Sequence, residues 1–195
     1  MKFLYADALE GGTKNIELLG NLRASEEGVD PSMLSLIRGY YFYNQGKFKG
    51  ALHELTQARV QNRSLEEDPR FLYRLASSHY TLQDWRNSLF YFELLRRRDI
   101  YRRYADKSSY FLLFINLGNK NYSEAMERLQ ELMKDMDPLT NLTLRLALSQ
   151  LWFYEDFIDK YKLSWYKPLL LKIAWIDYAK SYGLPSVLGV YCYSL

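Results

Sequence analysis

Gly46-Lys47-Phe48-Lys49-Gly50-Ala51, Gln83-Asp84-Trp85-Arg86-Asn87-Ser88 and Lys120-Asn121-Tyr122-Ser123-Glu124-Ala125 are three versions of one segment, spaced 37 residues apart. Each sets a polar turn before an aromatic ring (positions 48, 85 and 122) and places a small side chain three residues after it (positions 51, 88 and 125). The register extends without gaps over units that begin near Ser32, Pro69 and Asp106. A fixed period of this length marks an array of identical supersecondary units. After the turns, Ala51, Leu52, Leu55 and Ala58, and again Leu89, Phe92 and Leu95, recur three and four residues apart, which aligns them on one face of a helix. A small residue at a helix crossing lets two axes approach closely, and the ring before it closes the end of the pair. One helix pair cannot cover its own apolar face, so copies must stack. The sequence therefore predicts an all-α chain.

In the first unit Gly39, Phe42, Gly46, Phe48, Ala51, Leu55 and Ala58 follow an order of small, aromatic, turn, aromatic, small, large and small residues. The second unit has Leu72, Leu75, Ala76, Trp85, Ser88 and Phe92, with His79 at the first aromatic place and Leu95 at a small one. The third keeps Tyr122, Ala125, Leu129 and a late Pro138, with Leu113 and Asn116 departing from the pattern. In these features residues 32–142 resemble the tetratricopeptide repeat family. The resemblance implies an α-solenoid of antiparallel helix pairs, a right-handed superhelix of about three repeats (32–68, 69–105 and 106–142) with flanking helices. It also implies a concave groove lined by the first helix of each unit. Carried over residue by residue, the innermost row is Leu36, Tyr73 and Tyr110. Beside it lie Tyr40, Ser77 and Phe114, then Tyr43, Tyr80 and Leu117, with Met33, Arg70 and Lys107 at one end. Such a surface suits an extended or helical peptide with apolar anchors and acidic groups. The same rings serve equally well as packing against a neighbouring repeat or beneath C-terminal helices.

Segment 1–31 leaves the register, because Gly11 and Gly12 fall where the aromatic turn belongs; Ile16 to Leu22 reads as an incomplete or capping helix. Segment 143–195 reads as a helical extension or a degenerate fourth unit, with helices over Leu142 to Phe157 and Pro168 to Tyr182 ended by Gly183 and Pro185. The extra residues per unit point to a longer connection after the first pair, through Asn62-Arg63-Ser64 and Glu66-Glu67-Asp68-Pro69. The apolar tail Val187 to Leu195 stands outside every assignment, and self-association through Trp165 to Leu195 is one use for it.

Among 195 residues, 48% are hydrophobic and 25% charged, so the chain can bury a real core and is not of the disordered class. A net charge of +3 implies no global field for nucleic acid or anionic membrane, so any such binding must be local. The one dense basic cluster is Arg96, Arg97, Arg98, Arg102 and Arg103, interleaved with Tyr101 and Tyr104. It reads first as a solvated helix end whose cations suit the C-terminal dipole. As an anion site it supports the alternative of a regulatory or RNA-associated repeat protein. The single Cys192 closes no intrachain disulfide, and His53 and His79 lie on separate helices without ligand spacing. The expectation is therefore a protein-binding scaffold and no enzyme, with no metal or cofactor. No signal-peptide core is visible before Asp7 and Glu10, which favours the cytoplasm, and Lys172 interrupts the most apolar late stretch well short of a transmembrane length.

Overall fold

The structure, a computed structural model, describes residues 2–13, 15, 30–101, 103–134, 148 and 150–163. The chain divides into two compact units, Met1–Ser108 and Ser109–Leu195. All regular structure among the described residues is helical. In the first unit α1 is Lys2–Leu9, α2 Pro31–Asn44, α3 Phe48–Gln61, α4 Pro69–Thr81 and α5 Trp85–Arg98, with a 3-10 turn at Arg63–Glu67. Helix α6, Ala105–Gly118, carries the chain from one unit into the other. The second unit continues with α7, Tyr122–Met133, a 3-10 turn at Leu151–Phe153 and α8, Glu155–Lys160. The helices form consecutive antiparallel pairs, with α2 on α3 and α4 on α5; α3 also packs on α4, and α1 on α2.

The 37-residue step is a property of the backbone. First helices end at Asn44, Thr81 and Gly118, and second helices begin at Phe48, Trp85 and Tyr122. Each hairpin closes through one turn, bond for bond. The N–H groups of Lys47, Asp84 and Asn121 bond the carbonyls of Phe42, His79 and Asn116 at 2.8, 2.9 and 2.8 Å. Those of Gly46, Gln83 and Lys120 reach Tyr43, Tyr80 and Leu117 at 2.9, 2.9 and 3.0 Å. This geometry needs a left-handed residue, and Gly46, Gln83 and Lys120 carry φ of 71°, 61° and 59°. Only the first is glycine. A Cβ at Gly46 would meet nothing within 4 Å, so the penalty of substitution there is purely conformational. Gly46→Ala should destabilise by about 1 kcal/mol, and Gln83→Gly and Lys120→Gly should each stabilise by about 0.5–1 kcal/mol. Urea unfolding checks both, by a shifted midpoint at constant slope.

Local chemistry starts the first helix of two pairs in the same way. Asp30 and Asp68 each accept the N–H two residues on, at 2.9 Å, and each is followed by a proline at the first helical position. The connection after α3 is longer than a tight turn, as its polar run predicts, and folds as the 3-10 turn Arg63–Glu67.

Packing follows the small residues. A Cβ on Gly39 would lie 2.7 Å from Leu55 Cδ2, so α2 and α3 cross at this glycine. In the next pair Ser88 Oγ donates to the Ala76 carbonyl at 3.1 Å, a side-chain bond only a close crossing allows. The rings at the turn clasp each pair edge-on: Phe48 against Tyr43 at 5.6 Å, and Trp85 against Tyr80 at 5.2 Å.

In the second unit Leu113, Phe114, Leu117, Ala125, Leu129 and Leu132 of α6 and α7 share one core with Leu148, Leu151, Phe157, Ile158 and Leu163. Leu148, Leu151, Phe157, Ile158 and Leu163 thus cover the seam of the third pair. Of the helix predicted over Leu142 to Phe157, residues 142–147 and 149 lie outside the described residues, and the described part is not continuous: Leu151–Phe153 is a 3-10 turn, Tyr154 leaves helical geometry at φ −116°, ψ 62°, and α8 starts anew. Glu155 and Asp156 in the first turn of α8 complement its dipole, which favours a restart there. The expected helices over Ile16 to Leu22 and Pro168 to Tyr182, Pro138, and the tail Val187 to Leu195 lie outside the described residues.

Candidate functional site: a row of cations and tyrosine rings

Helix α4 presents Arg70, Tyr73, Arg74, Ser77 and Tyr80 at spacings of three and four residues, which align them along one face. The Arg74 guanidinium lies 4.2 Å from the ring centre of Tyr40 and 5.7 Å from that of Tyr43, both on α2. Ser77 Oγ is hydrogen-bonded to the Tyr43 hydroxyl at 3.0 Å. Further along, Tyr73 stacks on Tyr104 with centroids 5.1 Å apart, and Lys107 Nζ sits 5.5 and 5.9 Å from these two rings. At the opposite end Tyr5 of α1 stacks on Tyr40 at 6.2 Å. The result is one continuous row, Tyr5, Tyr40, Arg74, Tyr43, Tyr73, Tyr104 and Lys107, within the first unit.

Its charge is unbalanced. Arg70 is paired with Asp68 at 3.0 Å. Among the described residues Arg74 donates to the carbonyls of Leu9, at 3.2 Å, and Arg70, at 3.4 Å, and its Nε is buried with no hydrogen-bond partner. Among the described residues neither Arg74 nor Lys107 has a carboxylate within ion-pair reach. Burial pushes the Tyr40 and Tyr73 phenols well above the ordinary tyrosine value, so both remain neutral.

The residues expected to line a groove divide sharply in exposure. Tyr43, Tyr73 and Tyr80 are partly exposed and Arg70 and Lys107 exposed, while Met33 is half-buried. Leu36, Tyr40 and Ser77 are buried. In the second unit Phe114 and Leu117 belong to the core and Tyr110 packs against it. Tyr40 is 0% exposed because α1 lies along α2. The fastening is specific: Tyr41 donates to Asp7 at 2.6 Å, Asn44 to the carbonyls of Ala8 and Gly12 at 2.8 and 2.9 Å, and Gln45 to that of Thr13 at 2.7 Å. Neither α1 nor Arg74 stands out in the sequence. Helix α1 is short and falls outside the repeat. Arg74 is one place removed from the expected rows and enters by the reach of its side chain.

A second polar cluster closes the α4–α5 turn. His79 is buried, stacks on Tyr91 at 5.4 Å, and its Nδ1 lies 2.9 Å from Asp84 Oδ2. Desolvation lowers the imidazole pKa, Asp84 opposes it, and Arg59, which donates to the Tyr91 hydroxyl, lowers it further. Held mainly by Asn87, Asp84 stays below the ordinary carboxylate value. A histidine whose folded pKa is depressed contributes stability that is complete above its unfolded pKa of about 6.5 and is lost as pH falls towards the folded value. Between pH 7.5 and 5.5 the wild type should therefore lose more stability than His79→Gln, as read by urea unfolding at the two pH values. The depressed Asp84 acts in the same direction only at lower pH, below about 3.9.

The arginine cluster is partly committed. Arg96 pairs with Glu93 at 3.5 Å and Arg98 with Glu67 at 2.6 Å, while Arg97 and Arg103 are exposed; Arg102 lies outside the described residues. Among the described residues no cluster of His, Cys, Asp and Glu is arranged to hold a metal, and no helix is long and apolar enough to cross a membrane. Comparison with protein-family models, curated proteins and solved structures finds no match for this chain.

Proposed function

We propose that the chain is a non-catalytic, tetratricopeptide-like interaction scaffold that binds an acidic, aromatic-bearing peptide segment of a partner protein along the cation and tyrosine row. The observation that carries this reading is the pair Arg74 and Lys107, seated over tyrosine rings with no carboxylate partner among the described residues. Arg74, partly buried and without a counter-ion among the described residues, is unfavourable as it stands, and a guest carboxylate relieves it; Lys107, exposed in the same row, adds a second cation. The partly exposed rings of Tyr43, Tyr73 and Tyr80 supply rigid contact area at low entropic cost, and their hydroxyls suit a peptide backbone. The 37-residue hairpin register supports the repeat reading, in which the first helices form the concave side and the protein serves a larger assembly.

Panning a random displayed peptide library on the full chain tests it. The wild type should enrich peptides with Asp or Glu beside an aromatic residue, and these should bind Arg74→Glu/Lys107→Glu at least about tenfold more weakly. Enrichment of peptides that bind both proteins equally would place recognition elsewhere.

A further inference from the structure

We propose that the turn between α5 and α6 seats the protein on the surface of an anionic lipid bilayer. Ile100 and Tyr101 form its tip, 84% and 83% exposed, more than any other large apolar side chain among the described residues. Nothing in the turn requires apolar residues there. The turn is held from beneath: buried Asp99 accepts the N–H of Arg103 at 3.1 Å and of Tyr104 at 2.6 Å, and Ile100 N–H bonds the Arg98 carbonyl at 2.9 Å. The only acid of this stretch thus directs its charge inward onto amides, and the outward charge is cationic. Arg97 and Arg103 flank the tip, exposed and without a carboxylate partner among the described residues. The Arg103 guanidinium lies 5.8 Å from the Tyr101 ring centre.

These parts match the layers of a membrane interface. An aliphatic chain enters the acyl boundary, a tyrosine ring settles at headgroup depth, and arginines meet lipid phosphate. A single-stranded nucleic acid would use the arginines and stack on Tyr101, yet Ile100 has no planar face to stack on a base and gains less there than in an acyl layer. The isoleucine at the tip therefore favours lipid. This contact is separate from the peptide row and stands whether or not that row binds a peptide.

Co-sedimentation of the full chain with phosphatidylcholine vesicles, with and without about one-third phosphatidylserine, tests the proposal. Binding should be at least about tenfold tighter to the anionic vesicles and should weaken with salt. Ile100→Ser/Tyr101→Ser should weaken it by about tenfold or more, and Arg97→Gln/Arg103→Gln by a similar factor, each basic residue contributing about fivefold. All four side chains are exposed, so circular dichroism should show both variants folded as the wild type. Failure of the wild type to bind anionic vesicles, or binding unchanged by Ile100→Ser/Tyr101→Ser, overturns the proposal. So does tight binding of a single-stranded RNA oligonucleotide that needs the arginines and ignores Ile100, with no preference for anionic vesicles; it would assign the turn to nucleic acid.

Discussion

Phe92→Ala is expected to destabilise the first unit by about 3–5 kcal/mol, whereas Phe90→Ala, two residues away on the same helix, should stay within about 0.5 kcal/mol. Phe92 is fully buried at the α4–α5 crossing, edge-on to Tyr73 at 6.4 Å, and truncation leaves a cavity the surrounding helices cannot close. Phe90 is 59% exposed, so its removal takes little from the core. The contrast tests which face of α5 is inward. Urea unfolding followed by circular dichroism gives both values from the midpoint, provided the slope is unchanged.

Tyr40→Ala should be of similar severity, about 3–4 kcal/mol, because the ring is wholly buried between α1, α2 and the Arg74 side chain. Tyr40→Phe should behave differently. The Tyr40 hydroxyl is buried with no hydrogen-bond partner among the described residues, so removing it keeps the packing and relieves an unsatisfied polar group. The expected outcome is no loss, or a gain of up to about 1 kcal/mol. Thermal unfolding of the two variants reads this directly. A large loss in Tyr40→Phe would mean that the hydroxyl has a hydrogen-bond partner in solution and would contradict this account of the site.

The hairpins were legible because their determinants are local. A left-handed turn residue, a ring and a small crossing residue must appear at fixed offsets, so Gly46, Gln83 and Lys120 announce the same turn although two of them lack the glycine that would ease it. Tyr43, Tyr73 and Lys107, which the structure gathers into the row, were legible for the same reason, being periodic positions of first helices. Where contacts join elements distant in sequence, the signal was lost. Nothing in Lys2–Leu9 announces that Asp7 will accept from Tyr41 or that Tyr5 will stack on Tyr40. The capture of Phe114 and Leu117 beneath residues 148–163 is equally nonlocal, since any apolar face competes for cover and sequence spacing does not say which segment wins. Helical periodicity also ran through Trp152, Phe153 and Tyr154 without a glycine or proline to mark the break that the backbone makes at Tyr154.

The most direct measurement is a nuclear magnetic resonance titration of the isotope-labelled full chain with an acidic, aromatic peptide taken from the library selection. Shifts concentrated at Tyr43, Arg70, Tyr73, Arg74 and Lys107, and absent in Arg74→Glu/Lys107→Glu, are the predicted result. Shifts confined to residues such as Val60 on α3 and Phe90 on α5, with the row silent, would contradict it.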